Sequence, residues 1–149
     1  MSEQSFTPPA GAFTRSVTIR FSHCDAAGIV YFPHYFDMFN GVIEDWYKAE
    51  LKHDYAELVM GERLGFPFVH IECDFNIPSM MGEVIDLTLL VERVGRSSLS
   101  IAIVCHRDGL LRLRARMVTV VMSLDTRKPV PMPDALREAI ETYQRRTAG

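Results

Sequence analysis

The sequence predicts an α+β fold in which one antiparallel sheet of about five strands wraps a single long helix. Three observations carry this reading. The order of patterns is strand, long helix, then four strands joined by short connections. The helix, expected to enter at Phe32 or Pro33, sets Tyr35, Phe39, Val42 and Trp46 at helical spacing, with Phe36, Ile43 and Tyr47 beside them. After Pro67 a period of two persists for over fifty residues, the signature of half-buried strands.

Bulk properties bound the answer. A chain of 149 residues that is 48% hydrophobic fits one domain with a real core. A net charge of -3 and a pI near 5.9 give no bulk attraction to nucleic acid or to an anionic membrane surface. Cys24, Cys73 and Cys105 are odd in number and form no CxxC pair, which argues against a disulfide framework or a structural zinc site and makes a reducing cytoplasm the expected compartment. The N-terminus lacks a basic segment followed by an apolar run, and no apolar stretch approaches the roughly 18 residues of a membrane span.

Taken in order, residues 1–14 are small and polar, with Pro8, Pro9 and Gly11, and are expected to be a flexible arm ahead of a single domain at 15–149. Val17, Ile19 and Phe21 alternate with Ser16, Thr18 and Arg20, predicting a strand over 15–21. Pro33 suits the first helical position, where its missing N–H is an unpaired donor in any case. Helical character continues more weakly over 48–63, with a break near His53 and Asp54, until Gly65 and Pro67 end it. Val69, Ile71, Cys73, Phe75 and Ile77 alternate with His70, Glu72, Asp74 and Asn76. Ile85, Leu87, Leu89 and Val91 mark the next strand, and Gly95, Arg96 and Ser97 a turn. Leu99, Ile101, Ile103 and Cys105 follow, closed by Asp108 and Gly109, a dipeptide that favours tight hairpins. Leu111, Leu113, Ala115 and Met117 line one face of the last long strand, with Arg112, Arg114 and Arg116 expected together on the other. A proline-rich stretch then leads to Asp134, the expected cap of a final helix whose apolar residues are Ala135, Leu136, Ala139, Ile140 and Tyr143.

The stretch from Phe21 to Asn40 holds the candidate chemistry. Asp25 stands on a small-residue bend seven residues ahead of Phe32, and Phe32 as N-cap has no side-chain oxygen for the first-turn N–H groups. Those donors, at the positive end of the helix dipole, are expected to stay open for a ligand oxygen. A carboxylate facing such a site is placed as nucleophile or general base, and equally as a turn brace that bonds nearby backbone N–H groups. His23, two residues before Asp25, points the same way in an extended segment and reads as a polar pocket wall, since no second histidine stands at ligand spacing. Cys24 beside it faces away and forms no dyad. Arg96, Arg127 and Lys128 are cations for phosphates or plain solvated surface. The arginine row reads as open sheet surface or as an interface paired with carboxylates, and Met80 and Met81 as acyl-pocket lining or core filling.

The run His23-Cys24-Asp25-Ala26-Ala27-Gly28-Ile29-Val30-Tyr31-Phe32-Pro33-His34-Tyr35 resembles the D-x-x-G-I/V-V/I-Y/W-Y/F/H-x-x-Y signature of the 4-hydroxybenzoyl-CoA thioesterase family, and the order of elements after it resembles the hot-dog fold. The resemblance implies a hydrolase that cleaves an acyl-coenzyme A, with an aromatic or short to medium acyl group, to free acid and coenzyme A. It needs no cofactor or metal, coenzyme A being part of the substrate. By position, Asp25 matches the catalytic carboxylate, the backbone N–H of Phe32 the donor that polarises the thioester carbonyl, and Tyr31 and Phe32 the acyl wall. Arg96 and Lys128 fall near positions where the family holds nucleotide phosphates, and His23 stands where it often has an acidic or small residue. A homodimer joined edge to edge, assembling to a homotetramer, follows from the resemblance and from the need to cover strand edges. Two other activities fit the architecture: an acyl-thioester dehydratase using His23 or His70, and a non-catalytic acyl-CoA binding module.

Overall fold

The computed structural model describes residues 3–148; the first two residues of the expected arm and the last of the expected domain lie outside them. In chain order the elements are β1 (Phe13–Thr18), α1 (Pro33–Ala49), β2 (Leu64–Gly65), β3 (Phe68–Phe75), β4 (Val84–Val94), β5 (Ser98–Arg107), β6 (Leu110–Val120), β7 (Met122–Ser123) and α2 (Asp134–Thr147). The main sheet is antiparallel in the order β1-β4-β5-β6-β3, so the two strands that flank α1 in sequence, β1 and β3, are its two edges. That topology lets the sheet curl around the helix, because the chain leaves one edge, crosses the inner face as α1, and returns at the far edge.

The core lies between α1 and the inner face. Tyr35, Met38, Phe39, Val42, Ile43, Trp46 and Tyr47 are the buried positions of α1, as the stripe predicts. They meet Ile85, Leu87 and Leu89 of β4, Leu99, Ile101, Ile103 and Cys105 of β5, and Leu113, Ala115 and Met117 of β6, all buried. Each fully buried aliphatic side chain of this set contributes about 1.5–3 kcal/mol relative to exposure. Leu136, Ile140 and Tyr143 of α2 close one end of the same core. There the Tyr143 hydroxyl stands in for a missing ladder bond: it accepts the Phe13 N–H at 2.8 Å and donates to the Leu89 carbonyl at 2.6 Å, bridging residues paired across β1 and β4.

Several expectations are corrected. The expected arm boundary at 14/15 falls inside β1, which begins at the buried Phe13, while Gln4 and Phe6 bond the β5–β6 hairpin through the Leu111 N–H and the Gly109 carbonyl. β1 ends at Thr18 rather than running to residue 21. Residues 21–23 form a 3-10 turn, leaving Phe21 80% exposed, because Ile19 spends its N–H and carbonyl on Glu83 and Gly82 and the ladder stops. The expected break at His53 and Asp54 is present, and the helical stretch after it is short, resuming at Tyr55 and closing as a π-helical turn, Glu57–Gly61. Pro133 is the N-cap of α2 and Asp134 its first residue, with no side-chain cap bond, so the carboxylate acts only through the dipole at that end.

The arginine row is also broken. A β-bulge between Cys105/Leu113 and His106/Leu111 inserts Arg112 as the extra residue of β6. The shift takes Leu111 out of the inner cluster, although it remains buried, and turns Arg112 toward Glu83. Arg114 and Arg116 stay in the ladder opposite Asp74 and Glu72, and the ion pair Arg116 makes is with Glu92 of β4 at 3.6 Å. On β3 the expected alternation is interrupted by a bulge between Phe68 and His70, and Val69, Ile71 and Phe75 are exposed because this edge strand pairs on one side alone. The Asp108–Gly109 turn has positive φ at both residues, 52° and 76°, as a tight hairpin of this kind requires. Among the described residues no helix is long and apolar enough to cross a membrane.

Candidate active site

The loop ahead of α1 is a small closed hairpin. Cys24 bridges Val30, the Asp25 N–H donates to Ile29 O at 3.0 Å, and the Gly28 N–H donates to Asp25 O at 3.0 Å. Gly28 has φ +77°, a left-handed conformation that a side chain would strain. Asp25 Oδ1 accepts the Ala27 N–H at 2.9 Å, so the turn-brace reading is realised. Its other carboxylate oxygen has no hydrogen bond or ion pair among the described residues, and the side chain is exposed. One oxygen holds the loop while the other is open to chemistry.

Seven residues on from Asp25, Phe32 is the N-cap of α1 with no side-chain cap bond, and Pro33 is the helix's first position. The expectation that several first-turn donors stay open is narrowed. The His34 N–H is taken by Tyr31 O at 2.9 Å and the Tyr35 N–H by Phe32 O at 3.1 Å, while Pro33 has none. The Phe32 N–H alone makes no hydrogen bond among the described residues. Phe32 also lines a cavity of about 160 Å³ with Ile29, Val30, Tyr35, Phe75 and Pro78. Pockets that enclose whole small ligands run to about 300–1,000 Å³, so one chain holds part of a substrate here. Tyr31, expected beside Phe32 in the acyl wall, is outside that cavity; it packs edge-on against Phe32 and His34. The Tyr35 phenol is buried at the cavity wall, and burial pushes its pKa up against the opposing influence of Ser79 and Arg112.

His23 lies in the 3-10 turn, so the extended geometry that aligned it with Asp25 does not occur. Its Nδ1 accepts the Arg20 N–H at 2.9 Å, which places the neutral ring's proton on Nε2. Its carbonyl accepts the Tyr31 N–H at 2.9 Å, so the backbone of His23 steadies the residue before Phe32. His34, which sequence reading passed over, brings its ring to 6.3 Å from that of His23, and no cluster of three metal-binding side chains occurs among the described residues.

Arg96 and Lys128 lie at the other end of the sheet. Arg96 is exposed in the β4–β5 turn and its carbonyl accepts the Met132 N–H; Lys128 is exposed after β7. The Asp25 loop is tied to the segment that enters β4, and the 11 residues of β4 then run away from it toward Arg96. At about 3.4 Å per residue that is roughly 37 Å, so a single chain does not bring Arg96 to Asp25.

Sequence reading set Arg112 in an outward row with Arg114 and Arg116, and passed over Glu83 and Ser79. Arg112 Nη1 donates to Pro78 O at 3.1 Å and to Ser79 Oγ at 3.2 Å, and its two nitrogens grip the Glu83 carboxylate at 3.2 and 3.0 Å. Hydrogen bonding from Arg112, then from the Met80 N–H, holds the Glu83 carboxyl down at about 2. No period signals this cluster, because the bulge that turns Arg112 inward arises from strand pairing.

A five-stranded antiparallel sheet curled about one long helix is the architecture of the hot-dog fold. The chain belongs to the thioesterase-like superfamily, whose model it matches over residues 19–140. It is 26% identical over 141 residues to the 1,4-dihydroxy-2-naphthoyl-CoA hydrolase of Nostoc punctiforme, with 93% of each chain covered. It superimposes on the crystal structure of a 1,4-dihydroxy-2-naphthoyl-CoA thioesterase from Synechocystis with a TM-score of 0.78 and 25% identity, covering 87% of this chain and 96% of that one. A thioesterase superfamily structure from Jannaschia gives 0.83 at 26% identity, covering 93% and 97%. The expected fold and the expected class of thioester hydrolase are those of these relatives, and the Nostoc and Synechocystis proteins are named for a dihydroxynaphthoyl-CoA rather than a 4-hydroxybenzoyl-CoA.

Proposed function

We propose that this chain hydrolyses an aromatic acyl-CoA to the free acid and coenzyme A, with Asp25 and the Phe32 N–H as the groups that act on the thioester. The observation that carries the reading is the Phe32 N–H, left open at an uncapped helix start in a residue that lines a mostly apolar cavity, with the unengaged oxygen of Asp25 on the adjoining loop. A thioester carbonyl gains negative charge as it is attacked. A fixed donor at a helix N-terminus stabilises that charge by ~3–4 kcal/mol. Asp25 supplies the other half, either removing a proton from the attacking water or attacking the carbonyl carbon itself to form an anhydride that water opens. In both routes the C–S bond breaks and the thiolate leaves and takes up a proton; the acid carries the oxygen of water when Asp25 acts as base, and in the anhydride route when water attacks the acyl carbonyl and releases the Asp25 carboxylate.

The motif resembles that of 4-hydroxybenzoyl-CoA thioesterases, and the relatives act by name on a dihydroxynaphthoyl-CoA. What the two share is an aryl group joined directly to the thioester carbonyl. A flat ring fits a wall made of Phe32, Tyr35 and Phe75. The small cavity and the open, apolar edge of β3 support a homodimer in which the partner completes the pocket. Through such a partner Arg96 and Lys128 would approach the phosphates of coenzyme A. The test is thiol release across 4-hydroxybenzoyl-CoA, 1,4-dihydroxy-2-naphthoyl-CoA and short and long straight-chain acyl-CoAs. Preference for either aromatic thioester supports the reading, and no release from any member of the panel ends it.

A further inference from the structure

We infer that Arg112 and Glu83 are positioning residues for this reaction: a clamp that holds the Asp25 loop and the start of α1 in fixed relation through the segment Pro78–Glu83. The inference rests on the thioesterase reading for its catalytic consequence, but its structural content stands apart from it.

The Asp25 loop is closed on itself as a small hairpin, and its returning arm from Gly28 to Val30 is fastened to the neighbouring segment Ser79–Met81. The Val30 N–H donates to Ser79 O at 3.0 Å, the Met81 N–H donates to Gly28 O at 3.0 Å, and Ile29 bridges Met80. Val30 lies two residues before Phe32 and Gly28 three after Asp25, so the placement of both reacting groups follows from where Ser79–Met81 sits. Backbone bonds from Ile19 hold the Gly82–Glu83 end of that segment, and one guanidinium ties its two ends together. Arg112 bonds Pro78 O and Ser79 Oγ at one end of the segment and Glu83 at the other, and Glu83 Oε1 also accepts the Met80 N–H at 2.7 Å. The planar fork of arginine reaches these acceptors at once, which the single ammonium of lysine does not. The Arg112 side chain is only 11% exposed. A charge pair this deep adds little net stability over an apolar pair of the same volume. What it supplies is direction, fixing both ends of one short segment against a bulge in β6. Close to the reacting atoms, a misplacement of about 1 Å is enough to slow chemistry by two orders of magnitude.

The test uses the full chain in three variants, Arg112→Gln, Arg112→Lys and Glu83→Gln, with two measurements on each. Thiol release from the best aromatic acyl-CoA should show kcat down by about tenfold or more for Arg112→Gln with KM within about threefold, and part of the loss recovered in Arg112→Lys. Amide hydrogen exchange should be about tenfold faster at Val30 and Met81, with Leu87 and Ile103 in the core unchanged. A merely structural role lowers thermal stability without that split in the kinetics or that localisation of exchange. Wild-type protection at both Val30 and Met81, or kcat within about twofold of wild type in the folded variant, overturns the clamp. Should Arg112→Gln fail to fold, Glu83→Gln, which removes one charge and keeps the shape, decides by the same criteria. A wild-type protein that releases no thiol sinks the thioesterase reading alone, and the exchange rates still decide the clamp.

Discussion

Replacing Asp25 by asparagine separates the two roles that the structure gives this side chain. The brace is a single bond from Oδ1 to the Ala27 N–H, 2.9 Å long and exposed, and an asparagine oxygen accepts it equally. Even complete loss of such a bond is worth about 1 kcal/mol. For a chain of this length that shifts Tm by roughly 2–4 °C, which bounds the structural effect from above. The chemical role does not survive the change, because an amide neither takes a proton from water nor attacks a carbonyl at neutral pH. The loss should therefore appear in kcat, by well over tenfold, with KM little altered. The assay is thiol release at saturating and limiting acyl-CoA, with thermal unfolding of the same sample as the control. A folded Asp25→Asn protein that keeps more than about a tenth of wild-type kcat has lost at most ~1.4 kcal/mol of barrier reduction, and Asp25 is then not the central reacting group.

Four further outcomes follow from the geometry. Tyr143→Phe removes the hydroxyl that joins the Phe13 N–H to the Leu89 carbonyl, leaves two buried groups unpaired at about 1–2 kcal/mol each, and should lower Tm by roughly 5–15 °C with kcat unchanged; a Tm within about 2 °C of wild type refutes the bridge. Glu83 has its carboxyl held from 4.5 down to about 2, so its stabilisation is full above the unfolded value and is lost as pH falls through the folded one. The Tm gap between wild type and Glu83→Gln should thus be constant at neutral pH, narrow below pH 4.5 and close near pH 2, and a gap independent of pH over that window counts against the pair. Ile71→Lys places a charge on the exposed apolar face of the β3 edge and should turn a dimer into a monomer in sedimentation at micromolar concentration; an unchanged dimer locates the interface elsewhere. Arg96→Ala and Lys128→Ala should raise KM with little change in kcat, and mixing Arg96→Ala subunits with Asp25→Asn subunits should restore one site of wild-type KM if the cation is supplied across the dimer; absence of that recovery removes the residue from the site.

How much of this was legible beforehand depends on what kind of pattern each feature leaves. The α1 stripe from Tyr35 to Tyr47, the alternation of β4, β5 and most of β6, the Asp108–Gly109 turn and the uncapped start at Phe32 could all be read from the sequence, because each is a local relation between side-chain period, backbone conformation and burial. The motif around Asp25 likewise carried the superfamily. Other features depend on partners far away in sequence. His23 turns from Asp25 because β1 stops where Ile19 meets Gly82 and Glu83. The bulge that pulls Arg112 out of its row is set by the register of β5 on β6, and Arg112 then reaches Glu83, 29 residues earlier. The distance from Asp25 to Arg96 is set by strand direction. A period of two reports which face a residue shares with its neighbours in one strand. It carries no record of where pairing slips by one residue or which loop lies across the strand's end, and those two facts decided the site.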